Sequence, residues 1–277
     1  MTVAPVDHER NGALLAWYAE RRRSLPWRAD NDPYRVLVSE VMLQQTQVDR
    51  VVPYYLRFLE RFPSVEALAA APLRDVLDAW SGLGYNARAQ RLRDAARIVA
   101  AEGWPTTAAD LQNLPGIGPY TAAAVASIAF GAEIAAVDTN LQRVLSRWHG
   151  APLRGAPLQV LAAASLGEPA ADWNQAMMDL GSTVCTPRNP SCPDCPVRDW
   201  CSGPESYAPP TPQGRFEGSA RQLRGAIIRS LVRGPSTVRR LTQQTGFPAA
   251  EVREALDDLS DEGLVDAQGD GSYRIAE

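Results

Sequence analysis

A short run of prolines and glycines near the middle of the chain constrains the fold most strongly. Residues 114–119, LPGIGP, separate the end of one helical pattern from a helix of small residues that runs from Tyr120 to about Gly131. Proline and the closely spaced Gly116 and Gly118 predict a tight hairpin between these two helices. Because the second helix starts at the hairpin, its first N–H groups lack helical partners and form a site suited to one phosphate.

Length and composition indicate a globular chain of one large domain or two to three small ones. The 277 residues are 45% hydrophobic, which is enough for a packed core. Neither an apolar run after Met1 nor a long uncharged apolar stretch occurs, so we expect no signal peptide, no membrane span and a cytoplasmic protein. The formal net charge of −4 does not by itself indicate a nucleic-acid partner. Net charge reports on solubility more than on the charge of a local site.

Every basic side chain in the sequence is arginine, since the chain contains no lysine. A GC-rich genome is the simplest cause. The chemical consequence is that no side-chain amine is available to form a Schiff base with a carbonyl compound.

The cysteines lie in one short segment with the spacing C-x6-C-x2-C-x5-C. They are Cys185, Cys192, Cys195 and Cys201. A cytosolic chain rarely uses such a cluster for disulfides, so metal binding is the expected role. Structural zinc is the alternative, but zinc sites usually show two short pairs of ligands. One short pair with longer gaps on both sides favours a [4Fe–4S] cluster.

The N-terminal half reads as a series of helices. Residues 34–55 carry a continuous stripe of apolar residues that predicts one helix with a bend near Pro53. Glu40 lies within this stripe, and a carboxyl in such a setting either faces solvent or is buried with a raised pKa. The uncharged polar residues 44–47 that follow are suited to contacting the edges of bases.

The C-terminal half contains a second, smaller folding unit. After a loose Pro/Gly/Ala stretch at 150–170 and a helix that opens at Trp173, residues 203–218 shift to a linker composition. Residues 220–277 then show three helical patterns followed by two short strands around a Gln-Gly-Asp-Gly turn. Three helices with a two-stranded wing predict a winged helix-turn-helix.

These motifs together resemble the MutY family of adenine DNA glycosylases, in the helix-hairpin-helix superfamily that includes endonuclease III. The resemblance runs from about Leu14 to Ser202. It is carried by LPWR at 25–28, SEVMLQQTQ at 39–47, GLGY at 82–85, LPGIG at 114–118, VDTN at 137–140, NQAMMDLG at 174–181 and the cysteine spacing.

The resemblance implies a mainly helical, two-lobed glycosylase fold with an iron–sulfur cluster loop. We accordingly expect a six-helix domain with the helix-hairpin-helix at 30–135 and a cluster domain formed by 1–29 and 136–204. A linker at 205–219 and a winged-helix-like α+β domain at 220–277 complete the predicted organisation.

The resemblance also implies a set of reacting groups. Glu40 matches the general acid that protonates adenine N7, and Asp138 matches the carboxylate that stabilises the oxocarbenium-like sugar. Tyr120 matches a position that hydrogen-bonds at the active site, and Asn140 matches a supporting polar residue. A protonated leaving base and an anion beside the sugar are what cleavage of an N-glycosidic bond requires.

A second set of positions is implied for binding the base and the duplex. Gln175 matches the side chain that contacts the adenine edge, and Trp27 and Arg28 match walls of the base pocket. Gln45 and Tyr85 match residues inserted into the duplex beside the lesion, as a flipped-out base requires. The hairpin glycines Gly116 and Gly118 belong to the implied phosphate site, and the four cysteines match the ligands of the [4Fe–4S] cluster.

Bifunctional members of the superfamily carry lysine where this chain has Tyr120, so we expect a monofunctional glycosylase. The sequence departs from the family's usual pattern at two places. The family's usual C-terminal domain, which resembles the MutT pyrophosphohydrolase and recognises 8-oxoguanine, is replaced by residues 220–277. Asn86 stands where the family often has a second tyrosine. These two differences leave open which base opposite the adenine is required.

The expected partner is double-stranded DNA with an A:8-oxoguanine or A:G mispair, bound by a monomer associated with the nucleoid. One alternative is a mismatch glycosylase that removes thymine or uracil, although Glu40 and Gln175 favour adenine. A second is a non-catalytic iron–sulfur DNA-binding protein, against which the presence of both Glu40 and Asp138 argues. A third is a winged-helix regulator that binds one undamaged sequence.

Overall fold

The computed structural model describes residues 7–209, 211 and 214–277, and the protein is mainly helical. The helices are α1 His8–Arg21, α2 Pro33–Leu43, α3 Val48–Arg61, α4 Val65–Ala70, α5 Leu73–Trp80, α6 Ala87–Glu102, α7 Ala108–Leu111, α8 Pro119–Phe130, α9 Thr139–His149, α10 Gly155–Ser165, α11 Ala170–Asp179, α12 Ala220–Arg233, α13 Val238–Thr245 and α14 Ala249–Asp261. The strands are β1 Ser236–Thr237, β2 Val265–Ala267 and β3 Ser272–Ile275. No helix among the described residues is long and apolar enough to cross a membrane.

The chain divides into two compact units by its internal contacts. The first unit comprises residues 1–40, 105–113 and 117–212, and the second comprises 41–104, 114–116 and 213–277. The domain boundaries predicted from the sequence remain predictions. The predicted linker at 205–219 and the predicted cluster-domain segment 1–29 each lie partly outside the described residues.

The first unit is built around α1, α9 and α11. Leu14, Leu145 and Trp173 are fully buried in one apolar cluster, to which Met177 of α11 also belongs. The buried apolar residues of α9 recur at helical spacing, at Leu141, Val144, Leu145 and Trp148, which explains why this amphipathic segment forms a helix. Cys185, Cys195 and Cys201 pack against the same cluster, so this core also supports the cysteine segment.

The second unit contains α3 to α6 and the C-terminal residues. Phe58 of α3 lies edge-on to Trp80 of α5, with ring centroids 5.8 Å apart, and both side chains are fully buried. Arg74 of α5 donates a hydrogen bond to the carbonyl of Val232 in α12. Gln90 of α6 donates to the carbonyl of Gly263 at 3.1 Å. The C-terminal domain therefore packs against the helices α5 and α6.

The C-terminal domain has three helices and a sheet of three strands in the order β1-β3-β2. Both pairings are antiparallel, with Ser236 opposite Tyr273 and Val265 opposite Ile275. The predicted two-stranded wing was therefore incomplete, because β1 pairs with β3 as well. A strand as short as Ser236–Thr237 shows no alternating pattern that a sequence analysis could detect.

The helix predicted for residues 34–55 was wrong in its extent, because the structure breaks it into α2 and α3. Gln45 adopts a left-handed backbone with φ of 56°, which no residue inside an α-helix has. Pro53 lies within α3 and does not end it. The apolar stripe continues across the break, so the periodicity alone gave no sign of it.

The loose stretch predicted at 150–170 was also wrong, since α10 occupies residues 155–165. Leu158, Ala162 and Ser165 are its buried positions, and their spacing is that of one helical face. Two of these three side chains are small, and Ser165 is polar, so the face produced only a weak apolar stripe.

Candidate active site

Two carboxyl groups and a phenol come together in the first unit from three separate elements. Glu40 lies on α2, Tyr120 lies in the first turn of α8, and Asp138 is the N-cap residue of α9. Pro119 follows the N-cap Gly118 and starts α8, because the fixed φ of proline suits the first helical position. The hairpin therefore determines where Tyr120 lies.

Glu40 is buried, with 5% of its surface exposed. Burial raises the pKa of Glu40 to about 7, a hydrogen bond from Tyr120 opposes this increase, and the charge of Asp138 adds to it. The Oε2 atom of Glu40 is buried and has no hydrogen-bond partner among the described residues. The carboxyl is therefore protonated in a large part of the molecules near neutral pH, with one oxygen available to another group.

Asp138 is held by donors on both of its oxygens. The backbone N–H of Leu141 donates to Oδ1 at 2.7 Å, and Asn140 Nδ2 donates to Oδ2 at 2.6 Å. Burial raises the pKa of Asp138, whereas these hydrogen bonds and the charge of Arg143 lower it. Arg143 also donates to Asn140 Oδ1 at 2.8 Å, which fixes the orientation of the amide. Asn140 therefore lies beside Asp138, and its supporting role in the reaction remains a prediction.

The charges of both Glu40 and Asp138 act on the Tyr120 phenol. Burial raises the pKa of Tyr120 well above its usual value, and the charges of Glu40 and Asp138 raise it further. Its hydroxyl is 3.8 Å from the Sδ atom of Met178. A neutral phenol that donates to one carboxyl beside a second carboxyl can support acid catalysis and stabilise positive charge. It does not supply the amine that a Schiff base needs.

A polar network lies next to Trp27 in the same unit. Tyr18 donates to Gln175 Oε1 at 3.1 Å, and the Arg28 guanidinium lies 5.7 Å from the centre of the Tyr18 ring. Arg28 and Arg23 both form ion pairs with Asp179, at 2.8 and 2.6 Å. Trp27 is buried within the short turn Pro26–Arg28.

The charge on Asp179 organises this network. Burial acts to raise the pKa of Asp179, but the hydrogen bonds and charges of Arg28 and Arg23 outweigh it and lower the pKa. The sequence analysis missed Tyr18 and Arg23 as partners of the predicted site residues, and it did not single out Asp179. The one available signal was the position of Asp179 directly after the NQAMM string that carries Gln175.

The remaining predicted DNA contacts, Gln45 and Tyr85, belong to the second unit. Both side chains are exposed, and they are the only non-glycine residues with positive φ among those described, at 56° and 50°. Arg88 connects the two turns that carry them through hydrogen bonds to the carbonyls of Gln44 and Gly84. The sequence analysis missed Arg88.

Glycine occupies positions 116 and 118 of the hairpin for two different structural reasons. Gly116 has φ of 76°, and a Cβ atom there would lie 2.8 Å from the Cβ of Arg91, so both conformation and space require glycine. Gly118 is the N-cap of α8 and has no side chain with which to cap the first N–H groups of the helix. A bound anion is a suitable partner for such groups.

The cysteine segment is bound to the core by two arginines of α9. Arg147 donates to Cys185 Sγ at 3.0 Å and to the carbonyl of Thr186 at 2.9 Å. Arg143 donates to the carbonyl of Cys185 at 2.7 Å. The guanidinium carbons of Arg143 and Arg147 also lie 5.7 and 5.6 Å from the centre of the Tyr207 ring.

The four thiols fit a multinuclear cluster better than a single ion. Burial and the charges of Cys185, Cys201 and Cys192 raise the pKa of Cys195 to about 11, so all four lie close to one another. Thiolates this close need a compensating positive charge. Yet within the described part of the chain no three His, Cys, Asp or Glu side chains are near enough to hold one metal ion. Thiolates on the corners of a cubane are further apart than those around one zinc ion.

Comparison with known families agrees with this geometry. Residues 38–168 match the profile of the HhH-GPD superfamily of base excision DNA repair proteins. Residues 185–201 match the iron–sulfur binding domain of endonuclease III, which identifies the cofactor as a [4Fe–4S] cluster. A thermostable thymine-DNA glycosylase superposes with a TM-score of 0.66 at 32% identity, over 70% of this chain and 94% of its own.

Two mycobacterial proteins are similar along almost their whole length. The adenine DNA glycosylase of Mycolicibacterium smegmatis is 40% identical over 100% of this chain and 97% of its own. That of Mycobacterium tuberculosis is 37% identical over 97% of this chain and 94% of its own. The chain belongs to the adenine DNA glycosylase family of base excision repair enzymes.

Proposed function

We propose that this protein binds duplex DNA as a monomer, flips out an adenine paired with 8-oxoguanine or guanine, and hydrolyses its N-glycosidic bond without lyase activity. The observation that carries the proposal is the buried Glu40 carboxyl, whose pKa is about 7 and whose Oε2 has no partner among the described residues. A general acid needs both a proton near neutral pH and an atom free to deliver it. Action at the nucleoid follows from the proposed substrate.

In the proposed reaction Glu40 donates its proton to adenine N7. The bond between N9 and the sugar carbon C1′ then breaks, and its electron pair leaves with the base. Asp138, oriented by Leu141 and Asn140, stabilises the positive charge that develops on the sugar. Water adds its oxygen to C1′, and the proton that it loses restores the protonated form of Glu40. Tyr120 donates a hydrogen bond to Glu40 and has no amine with which to cleave the strand.

Recognition in this proposal uses two groups of residues. Gln175, Arg28 and Trp27 form the pocket for the extruded adenine. Gln175 and Arg28 both contact Tyr18, and Trp27 is the residue before Arg28 in the same short turn. Gln45 and Tyr85 occupy the space that the adenine leaves in the duplex. The hairpin at Gly116 and Gly118 holds one phosphate of the backbone.

Cys185, Cys192, Cys195 and Cys201 are proposed to hold the [4Fe–4S] cluster. Their thiolates supply its four ligands, and the cluster keeps the segment 185–201 in one conformation when bound. Arg147 supports this role, because its donation to Cys185 Sγ fixes the position of that sulfur.

The direct test is single-turnover base release from duplexes with a central A:8-oxoguanine, A:G, A:C, T:G or U:G pair, with alkaline cleavage of the product. Adenine release that is fastest opposite 8-oxoguanine is the expected result. Release of thymine or uracil instead of adenine would refute the proposed substrate. No release from any duplex, with the cluster intact by absorbance, would favour a DNA-binding protein without catalysis.

Asp138→Asn tests the mechanism within the same assay. Asparagine is also a good N-cap, so α9 should remain capped and the unfolding free energy should change by less than about 1 kcal/mol. Loss of the anion should lower adenine release by roughly 100-fold or more. DNA affinity, measured by anisotropy, should persist. Turnover that survives the substitution would refute the assigned role of Asp138.

Thymine release is the second candidate function, and one observation favours it. The thymine-DNA glycosylase that superposes on this chain shares 32% identity with it over most of its own length. The buried carboxyl of Glu40 argues for adenine, because adenine has a ring nitrogen to protonate. The T:G and U:G duplexes in the same assay distinguish the two functions.

A further inference from the structure

The turns that carry Gln45 and Tyr85 are joined by a single guanidinium group. Arg88 lies in the first turn of α6. Its Nη1 atom donates to the carbonyl of Val41 at 2.8 Å and of Met42 at 3.3 Å, and also to the carbonyl of Gln44. These carbonyls belong to the last turn of α2 and the residue after it, where no later helical N–H is present to donate to them.

The other end of the same guanidinium reaches the second turn. Arg88 Nη2 donates to the carbonyl of Gly84 at 3.1 Å and is 3.5 Å from Thr46 Oγ1. The guanidinium carbon lies 5.3 Å from the centre of the Tyr85 ring and 5.5 Å from that of Trp80. Arg88 therefore contacts the residue before Gln45, the residue after it, and Tyr85 with its preceding glycine.

The backbone at these turns needs such support. Gln45 and Tyr85 both have positive φ, which costs a non-glycine residue of the order of 1 kcal/mol or more. Such conformations persist only where the surrounding structure determines them. Burial lowers the pKa of Arg88 to about 10, so the side chain remains charged at neutral pH. Its positive charge interacts favourably with the negative C-terminal end of the α2 dipole.

We propose that Arg88 is a positioning residue that holds Gln45 and Tyr85 together in the geometry for insertion into DNA. This inference rests on the proposed roles of those two residues in the duplex. Arg88 itself does not touch the reacting atoms in the proposed mechanism. Its forked donors allow one side chain to determine two turns that are distant in the sequence, which a single ammonium group cannot do as well.

The test compares Arg88→Met, Arg88→Lys and a matched control, Arg97→Met. Arg97 lies on the same helix and also donates to a backbone carbonyl, that of Ala69, but it contacts neither turn. Two duplexes are used, each with 2-aminopurine next to the target adenine. In one the adenine faces 8-oxoguanine, and in the other it faces an abasic analogue, which leaves the adenine unpaired and easier to extrude.

Fluorescence of 2-aminopurine on mixing reports unstacking, and single-turnover cleavage reports base release. With Arg88→Met, unstacking and release from the 8-oxoguanine duplex should both fall by about tenfold or more. Release from the unpaired adenine should fall much less, because extrusion no longer limits the rate. Arg88→Lys should be intermediate, and Arg97→Met should match the wild type.

Several outcomes would overturn the inference. Equal losses on both duplexes would mean that Arg88 supports the fold or the chemistry generally. Unchanged unstacking in Arg88→Met would mean that the two side chains do not need it. Arg88→Lys carries the test if the methionine variant loses the cluster absorbance. A wild type that unstacks DNA without releasing adenine would refute the proposed function alone, and the unstacking comparison would still decide the role of Arg88.

Discussion

At the scale of single residues, the proposed chemistry depends on the buried environment that the fold gives Glu40. Desolvation penalises its charged form, and the nearby Asp138 adds to that penalty, so the pKa of Glu40 rises to about 7. Asp138 has two donors where Glu40 has one, so its anionic form is better supported. Two carboxyl groups with different environments can serve as acid and as anion in one reaction.

The pH dependence of adenine release follows from this pKa. Because the protonated form of Glu40 is the proposed acid, the single-turnover rate should fall about tenfold per pH unit above a pH of about 7. Stopped assays between pH 5 and 9 on the A:8-oxoguanine duplex would measure this profile. A rate that increases with pH across this range would contradict acid catalysis by Glu40.

Folding stability should depend on the same group. The pKa of Glu40 is raised in the folded state, so the folded protein binds the proton more tightly between pH 4.5 and about 7, and stability is lost as pH rises through this window. Glu40→Gln removes the titration and can still accept from Tyr120. Relative to this variant, the wild type should lose about 2 to 3 kcal/mol between pH 4.5 and 8. Urea unfolding of both proteins at the two pH values would measure the difference, and a constant difference would contradict the burial of Glu40.

At the scale of elements, the hairpin before α8 depends on one glycine. Gly116 combines a left-handed backbone with a close approach to Arg91. Gly246, at the end of α13, has a similar φ of 75° in the left-handed helical region but open space where a Cβ would be. The two positions therefore separate backbone strain from steric contact.

Gly116→Ala should lower the unfolding free energy by about 2 to 3 kcal/mol, since strain and the clash with Arg91 both contribute. Gly246→Ala should cost only the strain, about 1 kcal/mol. Thermal unfolding of both variants would compare them, and anisotropy would show weaker DNA binding for Gly116→Ala alone. Equal destabilisation by the two substitutions would mean that the approach to Arg91 is unimportant.

At the scale of the whole molecule, the C-terminal domain belongs to the same compact unit as α3 to α6. The alignment with the Mycolicibacterium smegmatis relative covers the whole chain, so that protein shares this segment. The exposed face of α14, the third helix of the winged fold, carries Glu251, Glu254 and Asp257. Such a face repels phosphates, so α14 is not suited to lie in a DNA groove.

The attachment of this domain to α5 and α6 can be tested by hydrogen exchange. The double variant Arg74→Met and Gln90→Ala removes the bonds to the carbonyls of Val232 and Gly263, each contributing about 1 kcal/mol. Amide exchange in the last turn of α12 and at Leu264 should become roughly fivefold faster or more. Arg97→Met is the control and should leave both regions unchanged. Unaltered exchange in the double variant would show that apolar packing alone holds the domain.

Much of this protein could be predicted from the sequence, because the decisive signals are local. Proline and glycine spacing determined the hairpin at 114–119, and the cysteine spacing determined the cluster segment. The family and fold class predicted from these motifs were confirmed. Glu40 and Asp138 were selected from short motifs, and their assigned roles remain predictions.

Only the tertiary structure decided the environment of those residues and the links between distant segments. Whether Glu40 faced solvent or the interior depended on its contact with Tyr120, far along the chain. At the break after Leu43, Arg88 donates hydrogen bonds to carbonyls that the end of α2 leaves open, and β1 forms only by pairing with β3. Periodicity and propensity describe neighbours in sequence, whereas burial and hydrogen bonds between distant residues arise only when the chain is folded.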